Sequence, residues 1–129
     1  MAANELADHF KSLAGQAAAG NLIIEYDAAE RCAKWCDDYI NDLTALSNRT
    51  RQMVVVDSFG DLNSAKALGK KFLDLAEGGE GSGSYLDAAT KHIEILTQMA
   101  DMYRKAGAAY KNCDEATQLA IKQQTNKLD

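Results

Sequence analysis

SYLDAATKHIEILTQMADMYRKAGAAYKNCDEATQLAIK, running from Ser84 to Lys122, is the stretch that decides the fold. It lacks proline, and its apolar residues recur at Leu86, Ala89, Ile93, Leu96, Met99, Tyr103, Ala106, Tyr110 and Cys113. Steps that alternate between three and four residues describe a helix with one buried stripe. The reading is a single long amphipathic helix, started at Ser84 with Asp87 three positions on in a capping-box-like pattern. Just upstream, Gly78-Gly79-Glu80-Gly81-Ser82-Gly83 holds four of the nine glycines and reads as a flexible hairpin loop.

Working outward, three more helices are predicted. One of about Asp61 to Glu77 is expected to bury Leu62, Ala65, Leu68, Phe72 and Leu75. Before it, the β-branched run Val54-Val55-Val56 favours extended backbone, and Asp57-Ser58-Phe59-Gly60-Asp61 reads as a turn with Ser58 or Asp61 as cap. A long helix from about Leu22 to Thr50 sets Leu22, Ala29, Cys36 and Leu43 seven residues apart, with Cys32, Tyr39 and Leu46 as companion row. Glu25 interrupts that row near its start. Asn4 to Ala18 forms a first helix with Leu6, Phe10, Leu13 and Ala17 on one face, ending at Gly20-Asn21.

The expected fold is therefore all-α: an elongated antiparallel helical hairpin or bundle with two long and two shorter helices. At ~1.5 Å per residue the long pair would measure roughly 45 and 55 Å. A single domain is expected over 1–129, with 1–20 as an additional N-terminal helix, 21–117 as hairpin core and 118–129 as a C-terminal tail.

Composition supports this reading. The 129 residues include no proline, where average usage would give roughly six. Proline costs about 3 kcal/mol inside a helix, so its absence suits long helices. The net charge is −5, with basic residues interspersed among acids, which argues against nucleic-acid binding. Glu5 and Asp8 stand where a signal peptide would be positive, so no cleaved leader is expected. Nor does any segment approach the ~18 uninterrupted apolar residues of a membrane span.

Candidate chemistry is sparse. Cys32 and Cys36, one helical turn apart, and the lone Cys113 read as buried free thiols rather than a metal or redox site. His9 and His92 have no metal-ligand spacing to them, and His92 reads as a structural histidine beside the stripe. Asp37-Asp38 reads as a solvated acidic face. No nucleophile with a base is apparent, so no enzymatic activity, cofactor or metal is expected. Trp35 falls beside the Cys32, Cys36 and Tyr39 positions, as core or as an interface anchor.

FGDLNSAKALGKKF, Phe59 to Phe72, resembles the central segment of small actinobacterial proteins linked to type VII (ESX) secretion, of the EspC-like and WXG-like kind. His92-Ile93, Met99, Met102-Tyr103-Arg104, Ala106-Gly107 and Ala109-Tyr110 ahead of Asp114-Glu115 are similar to the closing helix of that group. The likeness covers roughly Leu22 to Ala116. Trp-X-Gly is absent from the turn: Trp35 lies mid-helix and Phe59-Gly60 is the nearest aromatic-glycine turn, which favours an EspC-like relative.

The resemblance implies export in folded form, usually as a helical dimer. It also implies an export signal of a tyrosine followed four residues later by an acid, near the end of the last hairpin helix. Tyr110 and Asp114 match in spacing and position; Tyr26 and Glu30 match in spacing only. On a continuous helix the pair would share one face, one turn apart. In the competing reading Tyr110 continues the buried stripe and Asp114 is a solvated acid.

The expected function is thus a non-enzymatic type VII secretion substrate or co-secreted helical partner. It would be cytoplasmic before export, then secreted or at the cell surface. Its partners would be proteins: a second copy or a helical heteropartner, and the secretion ATPase. Trp35, Tyr39 and Phe59 are the interface candidates. The rival is a cytosolic helical chaperone or targeting module that binds a larger toxin or effector.

Overall fold

The computed structural model describes residues 3–53, 63–77 and 84–128. It is an all-α helical bundle. Five helices lie among the described residues: α1 (Ala3–Ala18), α2 (Tyr26–Met53), α3 (Asn63–Glu77), α4 (Tyr85–Lys111) and α5 (Glu115–Leu128). The turn expected at Asp57–Asp61, the glycine loop and Phe59 lie outside the described residues.

Local sequence sets the helix ends. α1 stops at a Schellman turn, in which Asn21 N donates to Gln16 O at 2.8 Å and Gly20 N to Ala17 O at 3.0 Å. That turn needs a left-handed residue, and Gly20 supplies it with φ of 83°. Glu25 does more than interrupt a row. Its carboxylate accepts from the backbone N–H of Asp27 at 3.1 Å and of Ala28 at 2.9 Å, so it caps α2 and moves the start from Leu22 to Tyr26. Ser84 caps α4 as read from the sequence, its Oγ accepting from Asp87 N at 3.2 Å.

The chain divides into two compact units. The first, residues 1–40 and 94–129, contains α1, α5 and the adjoining parts of α2 and α4. Here α2 and α4 run antiparallel, with Ala29 against Gly107 and the Asp37 carboxylate paired with the Arg104 guanidinium. A Cβ built on Gly107 would lie 3.0 Å from that of Ala29. The backbones therefore meet through their smallest side chains. The buried set of this unit follows the same rule: Ala7, Ala14, Ala17, Ala29, Ala33, Ala100, Ala106 and Ala109 are all buried.

That alanine core corrects three stripe assignments. In α1 the buried positions are Ala7, Ala14 and Ala17, while Leu6, Phe10 and Leu13 flank them half-buried. In α2 the row Ala29 and Cys36 is buried as expected, but its companion is Ala33, not Cys32, Tyr39 and Leu46. Cys32 is half-buried, and Tyr39 and Leu46 are exposed. Close approach of two helices places small residues at the centre of contact and pushes larger ones to the rim. α4 buries a wider arc than one stripe, adding Ile95, Ala100, Met102 and Ala109, while Leu96 and Met99 are only half-buried. The reason is cover on two sides: α2 at Gly107, and the connector, whose Ile24 N donates to Ala106 O at 3.3 Å.

The second unit, residues 41–93, contains α3 with the remaining parts of α2 and α4. Ser47, Ser84, Leu86, Asp87 and Ala89 are buried within this span. Leu68 and Leu75, expected in the core, are exposed on α3. They stand two turns apart on one face of that helix.

Candidate functional site

The expected continuous helix from Ser84 to Lys122 is broken. α4 ends at Lys111, and α5 begins at Glu115. Residues 118–129, expected as a tail, belong largely to α5. Asp114 explains the break. Aspartate is a poor helix-interior residue and a strong N-cap. Its Oδ1 accepts from Thr117 N at 2.7 Å, while its own carbonyl accepts from Gln118 N at 2.9 Å.

Gln118 then closes the corner. Its side-chain nitrogen lies 3.1 Å from Tyr110 O, 3.3 Å from Lys111 O and 3.0 Å from Cys113 O. An amide nitrogen has two hydrogens, so three carbonyls share them. They lie at and just past the end of α4, where helical partners run out, and Tyr110 O also accepts from Cys113 N at 3.0 Å. In return the Tyr110 hydroxyl donates to Gln118 O at 3.1 Å. The Cys113 thiol donates to Ala109 O at 3.4 Å, which ties the turn further.

The geometry separates Tyr110 and Asp114, the two residues expected to form an export motif. Tyr110 is 8% exposed, continuing the buried stripe, whereas the Asp114 carboxylate is exposed and acts as a cap. Side-by-side presentation on one exposed helical face, expected from the i, i+4 spacing, does not form because the helix ends between them. Hydrogen bonds from Thr117, through its side chain and then its backbone N–H, hold the Asp114 carboxyl below the usual carboxylate range. Tyr26, of the second match, is half-buried and carries the Lys111 ammonium 3.7 Å from its ring centroid.

Sequence reasoning missed Gln118 and the corner. The available signal was Asn112-Cys113-Asp114-Glu115, a cap-forming residue followed at once by an acid in a first turn. The unbroken apolar period across Cys113 masked it.

On α2, Trp35 is 82% exposed and Tyr39, one turn on, is 56% exposed. Of the two readings of Trp35, core and interface anchor, its exposure removes the first. The polar residues around them are paired locally: Lys34 with Asp38 at 3.0 Å, and Asp37 with Arg104. Phe59, the third interface candidate, lies outside the described residues. Cys36 is buried and Cys32 half-buried, both as free thiols; burial, then the neighbouring Cys32, pushes the Cys36 thiol upward. Burial first and the two cysteines next also raise the Tyr103 phenol. His92, read as a structural histidine beside the stripe, is exposed.

A groove of about 400 Å³ opens between the end of α1 and the end of α4, walled by Ala17, Gly20, Ile23, Ala108 and Ala109. Lys105 on its edge pairs with Asp101 at 2.9 Å. Among the described residues no three His, Cys, Asp or Glu side chains gather as a metal site, and no helix is long and apolar enough to cross a membrane. No family model, curated protein or solved structure matches the chain.

Proposed function

We propose that this protein is a non-enzymatic helical partner protein carried by a type VII secretion system, as substrate or co-exported partner. The observation that supports this reading best is the pair of aromatic side chains that α2 holds in solvent. Tryptophan and tyrosine are favoured anchors at protein interfaces. An 82% exposed tryptophan one turn from an exposed tyrosine contributes little to this chain's own core. The face fits a second copy or a helical heteropartner.

Export would then use the α4–α5 corner. Asp114 offers an exposed carboxylate at a fixed position, and Tyr110 lies beneath the start of α5. Asp114→Asn is the informative change, since asparagine caps a helix as well as aspartate does and only the charge is removed. Secretion of this variant, alongside its thermal melt, is the test. Loss of export with an unchanged melt is expected; unchanged export of the folded variant would remove Asp114 from the signal.

A further inference from the structure

We infer that α5 is a latch, held shut by Gln118, whose opening uncovers Tyr110. None of the described side chains of α5 is buried. Only Gln118, Ile121 and Thr125 are even half-buried, and Thr125 bonds back within α5, its hydroxyl donating to Ile121 O at 3.1 Å. A second groove of about 390 Å³ stays open between Ile121 and Ala120 of α5 and Ile23 and Ile24 of the connector. The described side chains of the helix therefore make little apolar contact to hold it down.

What holds it is polar and concentrated in one residue. Gln118 spans the corner from both ends, its amide on the α4 carbonyls and its own carbonyl on the Tyr110 hydroxyl. Local opening is cheapest where few apolar contacts and solvent-accessible hydrogen bonds hold an element. α5 meets the first condition, and the bonds that hold it are only part-buried, with the one to Lys111 O exposed, while α4 up to Tyr110 lies in the alanine core. When α5 lifts, Tyr110 loses its hydroxyl partner and its cover on that side. The exposed species then carries the tyrosine and Asp114 together in solvent. The gate on export rests on the reading proposed above; the latch itself does not.

The test uses purified full-length protein, with no secretion machinery present. Amide hydrogen exchange and hydroxyl-radical footprinting, both read by mass spectrometry, would follow α5 and residue 110. In the wild type, amides of residues 116–127 should exchange at least tenfold faster than those of 99–109. Gln118→Ala should raise α5 exchange about tenfold more and increase oxidation at Tyr110 severalfold, leaving residues 29–40 unchanged. Tyr110→Phe, which keeps the ring and loses one hydrogen bond, should raise α5 exchange to an intermediate level. Exchange of α5 at the same rate as α4 would overturn the latch. So would faster α5 exchange in Gln118→Ala without added oxidation at Tyr110.

Discussion

Gly107→Ala probes the α2–α4 contact more sharply than any large-to-small change. In a helix interior, alanine is favoured over glycine by about 0.8–1.0 kcal/mol. At Gly15, where an added Cβ meets nothing within 4 Å, that gain should appear undiminished. At Gly107 the new methyl would stand 3.0 Å from the Ala29 Cβ and 3.5 Å from Tyr26 Cδ2. The Ala29 methyl is fixed to backbone and cannot swing away, so the helices must part by a few tenths of an ångström. Overpacking of this kind costs about 1–3 kcal/mol. Gly107→Ala should therefore be roughly neutral to 2 kcal/mol destabilising, and should lie about 1–3 kcal/mol below Gly15→Ala. Urea denaturation followed by far-UV circular dichroism measures both. Ala29→Gly added to Gly107→Ala removes the facing methyl, so the pair should couple favourably in a double-mutant cycle. If Gly107→Ala stabilises as much as Gly15→Ala, the close backbone contact does not exist.

Three further outcomes are expected. Trp35→Ala should change stability by no more than about 0.5 kcal/mol, as for an exposed site, yet weaken self-association or partner binding in sedimentation experiments. Ile95→Ala should cost about 2–5 kcal/mol in chemical denaturation, with Leu96→Ala, only half-buried, at or below the low end of that range. The third concerns acid. The Asp114 carboxyl titrates lower in the folded protein than in the unfolded chain, so its cap contribution is fully present above the unfolded value of about 3.9 and is lost as pH falls through the folded one. α5 helicity, followed by NMR from pH 6 downward, should thus drop below about pH 4 in the wild type and not at this step in Asp114→Asn.

Helix content, the end of α1 and the start of α4 were legible because they depend on local chemistry. Absence of proline, the three-four period, Gly20 and Ser84 each act within one or two turns. The choice of core face was less legible. Periodicity places Leu6, Leu13 and Cys32 in the core, whereas close helix packing selects their neighbours Ala7, Ala14 and Ala33 by their smallness, while Ala29 and Cys36 are buried as expected. At those three positions the two criteria differ by one residue along the helix, which rotates the inferred face. The corner at residues 112–114 carried a cap signal that the apolar period masked, and its closure was not legible at all. Its decisive partner, Gln118, lies across the break in the next helix, and its side chain acts on carbonyls that any helix end would leave open. The aromatic face, Trp35 with Tyr39, was readable only as a choice between core and interface, since sequence does not say which side α4 takes.

The central claim is export, and fractionation of producing cells tests it most directly. The chain would be expressed with a small C-terminal tag in an actinobacterial host carrying a type VII system, with and without a functional secretion ATPase. Folded protein should accumulate in the medium or at the cell surface only when the ATPase is active, while a cytosolic marker stays inside. Retention in the cytosol in both strains, with the protein folded and soluble, would contradict the account.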